Sequence, residues 1–291
     1  MIVAVVLALV AIGTVVFHFW SPWWWTPLAS NWSYIDHTII ITFWITGVVF
    51  VGVVLFIAYC VFRFRHQEGR KSDYEPENKK LEWWLTGLTT VGVVAMLAPG
   101  LFVWTDFVTV PKQATEFEVV GQQWRWSFRL PGKDGRLGTS DPRNVSFENP
   151  FGLNPDDPRG QDDILIDGDD LHLPLDKPVK VLLRSLDVLH DFYVPQFRAK
   201  MDLVPGMVTY FWFVPTRPGT FDILCFELCG TGHYAMRGKV VVEDESAYQT
   251  WLQEQQTFAQ SLAEARNGDG DASDVALTKG QTGSATGESA Q

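Results

Sequence analysis

Apolar residues run without interruption through much of the first third of the chain and alternate with polar ones in the rest. The run TIIITFWITGVVFVGVVLFIAYCVF, residues 38–62, carries no charged side chain. About 20 apolar residues span a bilayer core, so this run predicts a transmembrane helix. WWLTGLTTVGVVAMLAPGLFVWT, residues 83–105, predicts a second, and Pro99 and Gly100 near its end are compatible with a membrane helix. MIVAVVLALVAIGTVVFHFW, residues 1–20, is a third apolar run. A signal peptide is the rival reading there, but it wants a basic n-region, and the chain starts Met-Ile-Val with no Lys or Arg. The expectation is an uncleaved helix, with SPWWWTPLASNWSYID after it as an aromatic interfacial belt.

From about residue 114 the pattern becomes alternation. FEVVGQQWRWSFRL, DDILIDGDDLHLP, PVKVLLRSLDVLHDFYVP, MVTYFWFVPTRPGTFDILCFE and RGKVVVEDE read as strands bounded by Gly, Pro and Asp. No amphipathic helix separates them, which predicts an antiparallel sandwich or small barrel. Residues 131–161, rich in Gly, Pro, Asn and Asp, read as a long loop or insertion. Ser246 and Gln249 suggest a capping box opening one amphipathic helix over 246–266. The tail 267–291 lacks periodicity and predicts disorder. The expected plan is therefore an apolar segment at 1–20, a membrane hairpin at 37–106, a β domain at 107–245, a helix and a tail.

Charge adds direction. Residues 1–105 hold six acids and six bases, and all six bases lie between Arg63 and Lys80, in the link between the two long apolar runs. Positive charge stays cytoplasmic, so the helix at 38–62 runs inward, the helix at 83–105 outward, and everything after about 106 lies outside. That outer part holds 28 acids against 17 bases. Seven of the acids fall within residues 156–170, as a solvated loop or a surface for a basic partner.

Three cysteines exclude a disulfide scaffold, and no C-x-x-C-H run exists to attach a c-type haem. The candidate chemistry sits in CFELCGTGHYAM, where Cys225, Cys229, His233 and Met236 follow at C-x3-C-x3-H-x2-M. Gly230 and Gly232 let that loop curl. A Cys225–Cys229 disulfide would leave His233 and Met236 unexplained. Structural zinc could use both thiols and imidazole but has no use for a thioether. A blue-copper site uses one cysteine, two histidines and a weak axial methionine, in the order upstream His, then Cys, His and Met. The second cysteine leaves a further reading, two copper ions bridged by two thiolates. His190, in SLDVLHDFYVP, is the candidate upstream histidine, and His172, alternating with leucines, reads as structural.

C-x-E-x-C-x3-H-x2-M with DVLH upstream resembles the binuclear copper A centre of subunit II of cytochrome c oxidase. The resemblance extends over most of the chain: a membrane hairpin, GQQWRW at 121–126, DVLHDFYVP at 187–195, KMDLVPG at 200–206, RPG at 217–219 and the metal loop. It implies a membrane anchor of two or three helices joined to an all-β, cupredoxin-like Greek-key sandwich. It implies two copper ions held by His190, Cys225, Glu227 through its carbonyl, Cys229, His233 and Met236. It gives the Glu227 carboxylate a second role, a magnesium ion shared with subunit I, with Asp202 supporting that interface. Trp124 becomes the residue through which electrons enter, with Arg125 where the family often has tyrosine. Glu82 becomes a candidate mouth for a proton path. The implied partners are haem- and copper-bearing subunit I, subunit III, a basic cytochrome c and the membrane, with no nucleic acid. The implied location is a bacterial inner membrane, with the β domain on the periplasmic side.

Overall fold

The computed structural model describes residues 1–21, 26–71, 74–146 and 149–264. Most of the aromatic belt at Trp23–Trp25 and the tail 267–291 lie outside the described residues. The chain divides into a helical unit, residues 1–110 with the short turn 195–198, and a β unit holding the rest.

The helical unit contains α1 (Ile2–Trp20), α2 (Ser33–Arg63) and α3 (Lys79–Val108), each long and apolar enough to cross a membrane. Their apolar side chains face outward on every side, the signature of a helix whose solvent is lipid. Threonines within the runs return their hydroxyls to the preceding turn, as Thr42 Oγ1 does to the Thr38 carbonyl (2.8 Å) and Thr89 to Leu85 (2.7 Å). Those hydroxyls are thereby satisfied within their own helix. Both long helices extend past their apolar runs. Asn78 caps α3 by accepting the Leu81 N–H at 3.1 Å, and Pro99 lies within that helix. Arg198, in the left-handed region at φ 61°, ties the turn 195–198 to this unit through Asp36 (Nε to Oδ1, 2.6 Å) and the Thr26 carbonyl (2.6 Å).

The β unit is a sandwich of two five-stranded sheets. One runs in the order β3 (Ile164–Asp167), β2 (Arg125–Leu130), β1 (Thr115–Gln122), β5 (Val179–Ser185), β8 (Thr209–Phe213). The other runs β4 (Leu171–Pro174), β10 (Arg237–Glu243), β9 (Gly219–Cys225), β6 (His190–Tyr193), β7 (Lys200–Leu203). Phe117, Phe128, Val181, Phe192, Phe211 and Ile223 are among the residues buried in its core. The purely antiparallel expectation is corrected. β1 pairs with β5, and β10 with β4, in parallel. Each parallel neighbour is reached by a long connection, which sequence alternation does not reveal.

Within 131–161, the described residues 131–146 and 149–161 include an apolar patch that packs onto the β unit. Phe151 and Leu153 bury against Val120 on the outer face of the first sheet, together with Phe258, Leu165 and Leu262. That cover explains why β1 is buried on both faces from Phe117 to Gly121. The single helix expected over 246–266 is also corrected. α4 spans Glu245–Glu254, the chain then breaks, and a helical stretch resumes over 258–264. At the break Thr257 bridges to Ile164, and the Phe258 N–H donates to the Asp163 carbonyl at 2.8 Å, so pairing with the sheet outweighs helix continuity. The cap of α4 is Asp244, whose carboxylate accepts the N–H groups of Ser246 and Ala247 at 3.0 Å each. A carboxylate at a helix start gains from the dipole as well as from the bonds, and displaces the expected Ser246–Gln249 box.

Candidate metal centre

β6 and β9 lie side by side, with Phe192 opposite Cys225. His190 opens β6, Cys225 ends β9, and the loop 226–236 returns the chain to β10. A short turn at His233–Ala235 brings the imidazole and then Met236 back beneath the cysteines. Both thiols are free and buried, with their sulfurs 3.7 Å apart. His190 Nδ1 stands 3.8 Å from Cys225 Sγ, and His233 Nδ1 3.5 Å from Cys229 Sγ. Met236 Sδ lies 3.9 Å from Cys229 Sγ, and the Glu227 carbonyl 3.3 Å from Cys225 Sγ. The imidazole of His190 and both thiols form a tight group able to hold a metal ion, the only such group of His, Cys, Asp or Glu found among the described residues.

The donor chemistry fits copper. Two thiolates, two ring nitrogens and a thioether are soft or borderline ligands, and the Glu227 carbonyl adds a weak oxygen. Electrostatics agree. Burial works against ionisation of Cys225, but hydrogen bonds with His190, with the backbone at Asp191 and Glu227, and with Cys229 outweigh it and bring the thiol down. Burial and the neighbouring Cys225 push Cys229 up. Ionisation is thus favoured at Cys225 over Cys229, and a bound cation would favour the thiolate at both.

His190 is fully buried. Its Nε2 meets Asp187 Oδ1 at 2.8 Å, leaving Nδ1 to face the sulfurs. The Gly121 backbone abuts the ring, with room for no Cβ: one there would lie 2.9 Å from Leu203 and 3.3 Å from His190. Trp124, 39% exposed, lays its indole on the metal loop and donates Nε1–H to the Cys229 carbonyl at 3.2 Å. Arg125 pairs with Asp167 at 3.0 Å, so the positive charge beside Trp124 has an acidic partner. Asp202 is exposed and stands opposite buried Asp191 across β6–β7. Burial first, then Asp202, raises the Asp191 carboxyl, against Lys200 Nζ at 3.2 Å. His172 is structural: it bonds Glu243 at 2.7 Å and stacks on Trp251 at 4.3 Å. Glu82 belongs to the helical unit, exposed in the first turn of α3, apart from the ligand cluster in sequence and unit.

Asp187 and Gln123 are the site residues that sequence reasoning did not single out. Both lie in quoted motifs, DVLH and GQQWRW, and only the fold shows that they touch the ligand frame.

Comparison with known proteins supplies the family. The family described as cytochrome C oxidase subunit II, periplasmic domain, matches residues 116–244. The alternative cytochrome c oxidase subunit 2 of Bradyrhizobium diazoefficiens is 69% identical over 259 residues, covering 89% of this chain and 94% of that one. Cytochrome c oxidase subunit 2 of Cereibacter sphaeroides is 29% identical over 238 residues, 79% and 77% of the two chains. Among solved structures, the periplasmic domain of subunit II of cytochrome oxidase (CoxB) of Bradyrhizobium japonicum covers 50% of this chain and 95% of its own, at 26% identity and a TM-score of 0.37. A membrane-helix unit, a sandwich with a soft-ligand cluster between its strands, and identity that runs nearly end to end place this chain in the cytochrome c oxidase subunit II family.

Proposed function

We propose that this chain takes electrons from a cytochrome c and passes them to haem in subunit I, which reduces dioxygen to water with proton translocation. His190, Cys225, the Glu227 carbonyl, Cys229, His233 and Met236 would hold two copper ions. That binuclear copper A centre, when bound, supplies one-electron redox chemistry. The observation that carries the reading is the pair of free buried sulfurs 3.7 Å apart, each with an imidazole Nδ1 beside it. A lone disulfide or a structural staple would not need the buried thioether of Met236 at the same point.

The residues of the chain do the positioning. Paired strands of one sheet, β9 and β10, fix the ends of the loop, so the ligand atoms move little when charge changes. The Phe192 and Trp126 rings, edge-on at 5.8 Å, pack behind the His190 side and help keep water out. Trp124 gives an exposed aromatic face on the loop itself, where a donor can approach. The acid excess of residues 106–291 would steer a basic cytochrome c toward the β unit.

Glu227 offers one carboxylate beside the ligand loop, and a magnesium ion there would draw its other ligands from subunit I. Glu82 would sit at the mouth of a proton path on the cytoplasmic side. Subunit III completes the assembly, in a bacterial inner membrane. The test is Trp124→Ala in the assembled oxidase. Electron uptake from reduced cytochrome c should slow while the copper spectrum stays unchanged. Unchanged uptake, or loss of copper, would refute the assignment of Trp124.

A further inference from the structure

The turn between β1 and β2 consists of Gln123 and Trp124, since Gln122 pairs with Arg125. A hairpin turn needs only backbone from its corner residues, yet Gln123 is bonded at both ends. Its backbone N–H donates to Asp187 Oδ2 at 2.7 Å. The other oxygen of that carboxylate takes His190 Nε2 at 2.8 Å and the Val188 N–H at 2.7 Å. Its side-chain Nε2 donates to the Cys229 carbonyl at 2.8 Å, the same oxygen that receives Trp124 Nε1. The loop is shaped for this approach. A Cβ at Gly230 would lie 2.9 Å from Gln123 Nε2, and its φ of +116° also favours glycine.

We infer that Gln123 is a positioning residue for electron uptake. It ties together the His190 arm, through Asp187, the Cys229 arm, through its amide, and Trp124, through the shared carbonyl. The inference rests on the proposed reading of the ligand cluster and of Trp124. Two N–H donors on one carbonyl draw electron density from the peptide that carries the Cys229 thiol. With one donor removed, that sulfur becomes a stronger electron donor and favours the oxidised metal. The loop amides also lose a cross-link.

The variant is Gln123→Met, which keeps the chain length and the backbone N–H but removes the side-chain donor. In the assembled oxidase, copper content should be unchanged and the reduction potential of the centre lower. The maximal rate of uptake from reduced cytochrome c should fall ~3- to 10-fold, the equivalent of one neutral hydrogen bond, with KM unchanged. In the copper-free full chain, amides of residues 225–236 should exchange hydrogen faster than in the parent. Gln123→Glu, which sets an acceptor against the carbonyl, should exceed Gln123→Met on each measure. Unchanged potential, rate and exchange in Gln123→Met would overturn the inference, as would a raised KM at constant maximal rate, which marks a docking contact. Trp124→Ala separates the two levels: if it slows uptake while Gln123→Met does nothing, only the inference falls; if neither variant slows uptake, the reading of Trp124 falls with it.

Discussion

At Gly232 the backbone φ is −90°, a conformation open to any residue, so space alone demands glycine there. A Cβ would lie 2.3 Å from Trp124 Cδ2, in the body of the indole rather than at a flexible tip. Gly232→Ala must therefore displace Trp124 or the loop, a misfit costing about 1–3 kcal/mol. We expect slower uptake from reduced cytochrome c with copper still bound. Parent-like kinetics would show that the indole does not need its seat on the loop. Residues of this kind divide by how they announce themselves. Cys225, Cys229, His233 and Met236 were legible because ligands spaced within one loop keep their spacing in the fold. His190, 35 residues upstream of Cys225, was legible because the loop lacks one nitrogen ligand and the other histidine of the β domain reads as structural. Gln123 and Asp187 act through each other across 64 residues, and no local pattern of glutamine or aspartate encodes such a bond.

Between elements, the segment 131–161 works as a third layer. Arg129 Nη2 donates to the Gly138 carbonyl at 2.7 Å and Arg184 Nη2 to the Phe151 carbonyl at 2.7 Å. Both arginines converge on Glu118, Arg184 Nε at 2.5 Å and Arg129 Nε at 3.2 Å, the latter close enough for an ion pair but not aligned as a hydrogen bond. Phe258, beyond the break after α4, closes the apolar side of this layer. Phe258→Ala should cost ~3–5 kcal/mol, read as a lower denaturant midpoint of the full chain in detergent. A change near zero would mean that the segment after Glu254 merely rests on the sheet. Asp163 lies fully buried in the same layer and accepts the Gly138 N–H at 3.0 Å. Burial pushes its carboxyl up to about 6, against the pull of Arg129. The folded chain thus binds this proton more tightly than the unfolded chain, where aspartate titrates near ~3.9. Its contribution to stability is full below about pH 4 and is lost as pH rises through about 6. Asp163→Asn should flatten that part of the stability profile, and an unchanged slope would contradict the assignment. The packing of this layer was not legible beforehand: Gly, Pro, Asn and Asp mark turns and read as a long loop or insertion, and only the fold shows Phe151 and Leu153 packed with Val120.

On the scale of the molecule, charge and apolarity are segregated along the chain, and that segregation was legible from residue types alone. Three all-round apolar helices belong in lipid, and the acidic remainder belongs in water. The sandwich followed from alternation, but its parallel β1–β5 and β4–β10 pairs did not, because alternation fixes which face a side chain takes and not which strand lies beside it. The charge split carries a prediction for association. Raising ionic strength from about 0.01 M to about 0.15 M shortens the screening length from ~30 to ~8 Å. The second-order rate of uptake from a basic cytochrome c should then fall on the order of tenfold, as stopped-flow mixing would record. A salt-independent rate would remove the acidic surface from the account. The central claim, that Cys225 and Cys229 together bridge two copper ions, is tested most directly by electron paramagnetic resonance of the copper-loaded full chain, with metal content measured on the same sample. The account predicts two coppers per chain and the hyperfine pattern of one electron shared equally between two copper nuclei. One copper per chain with the spectrum of an isolated copper(II) ion would contradict it.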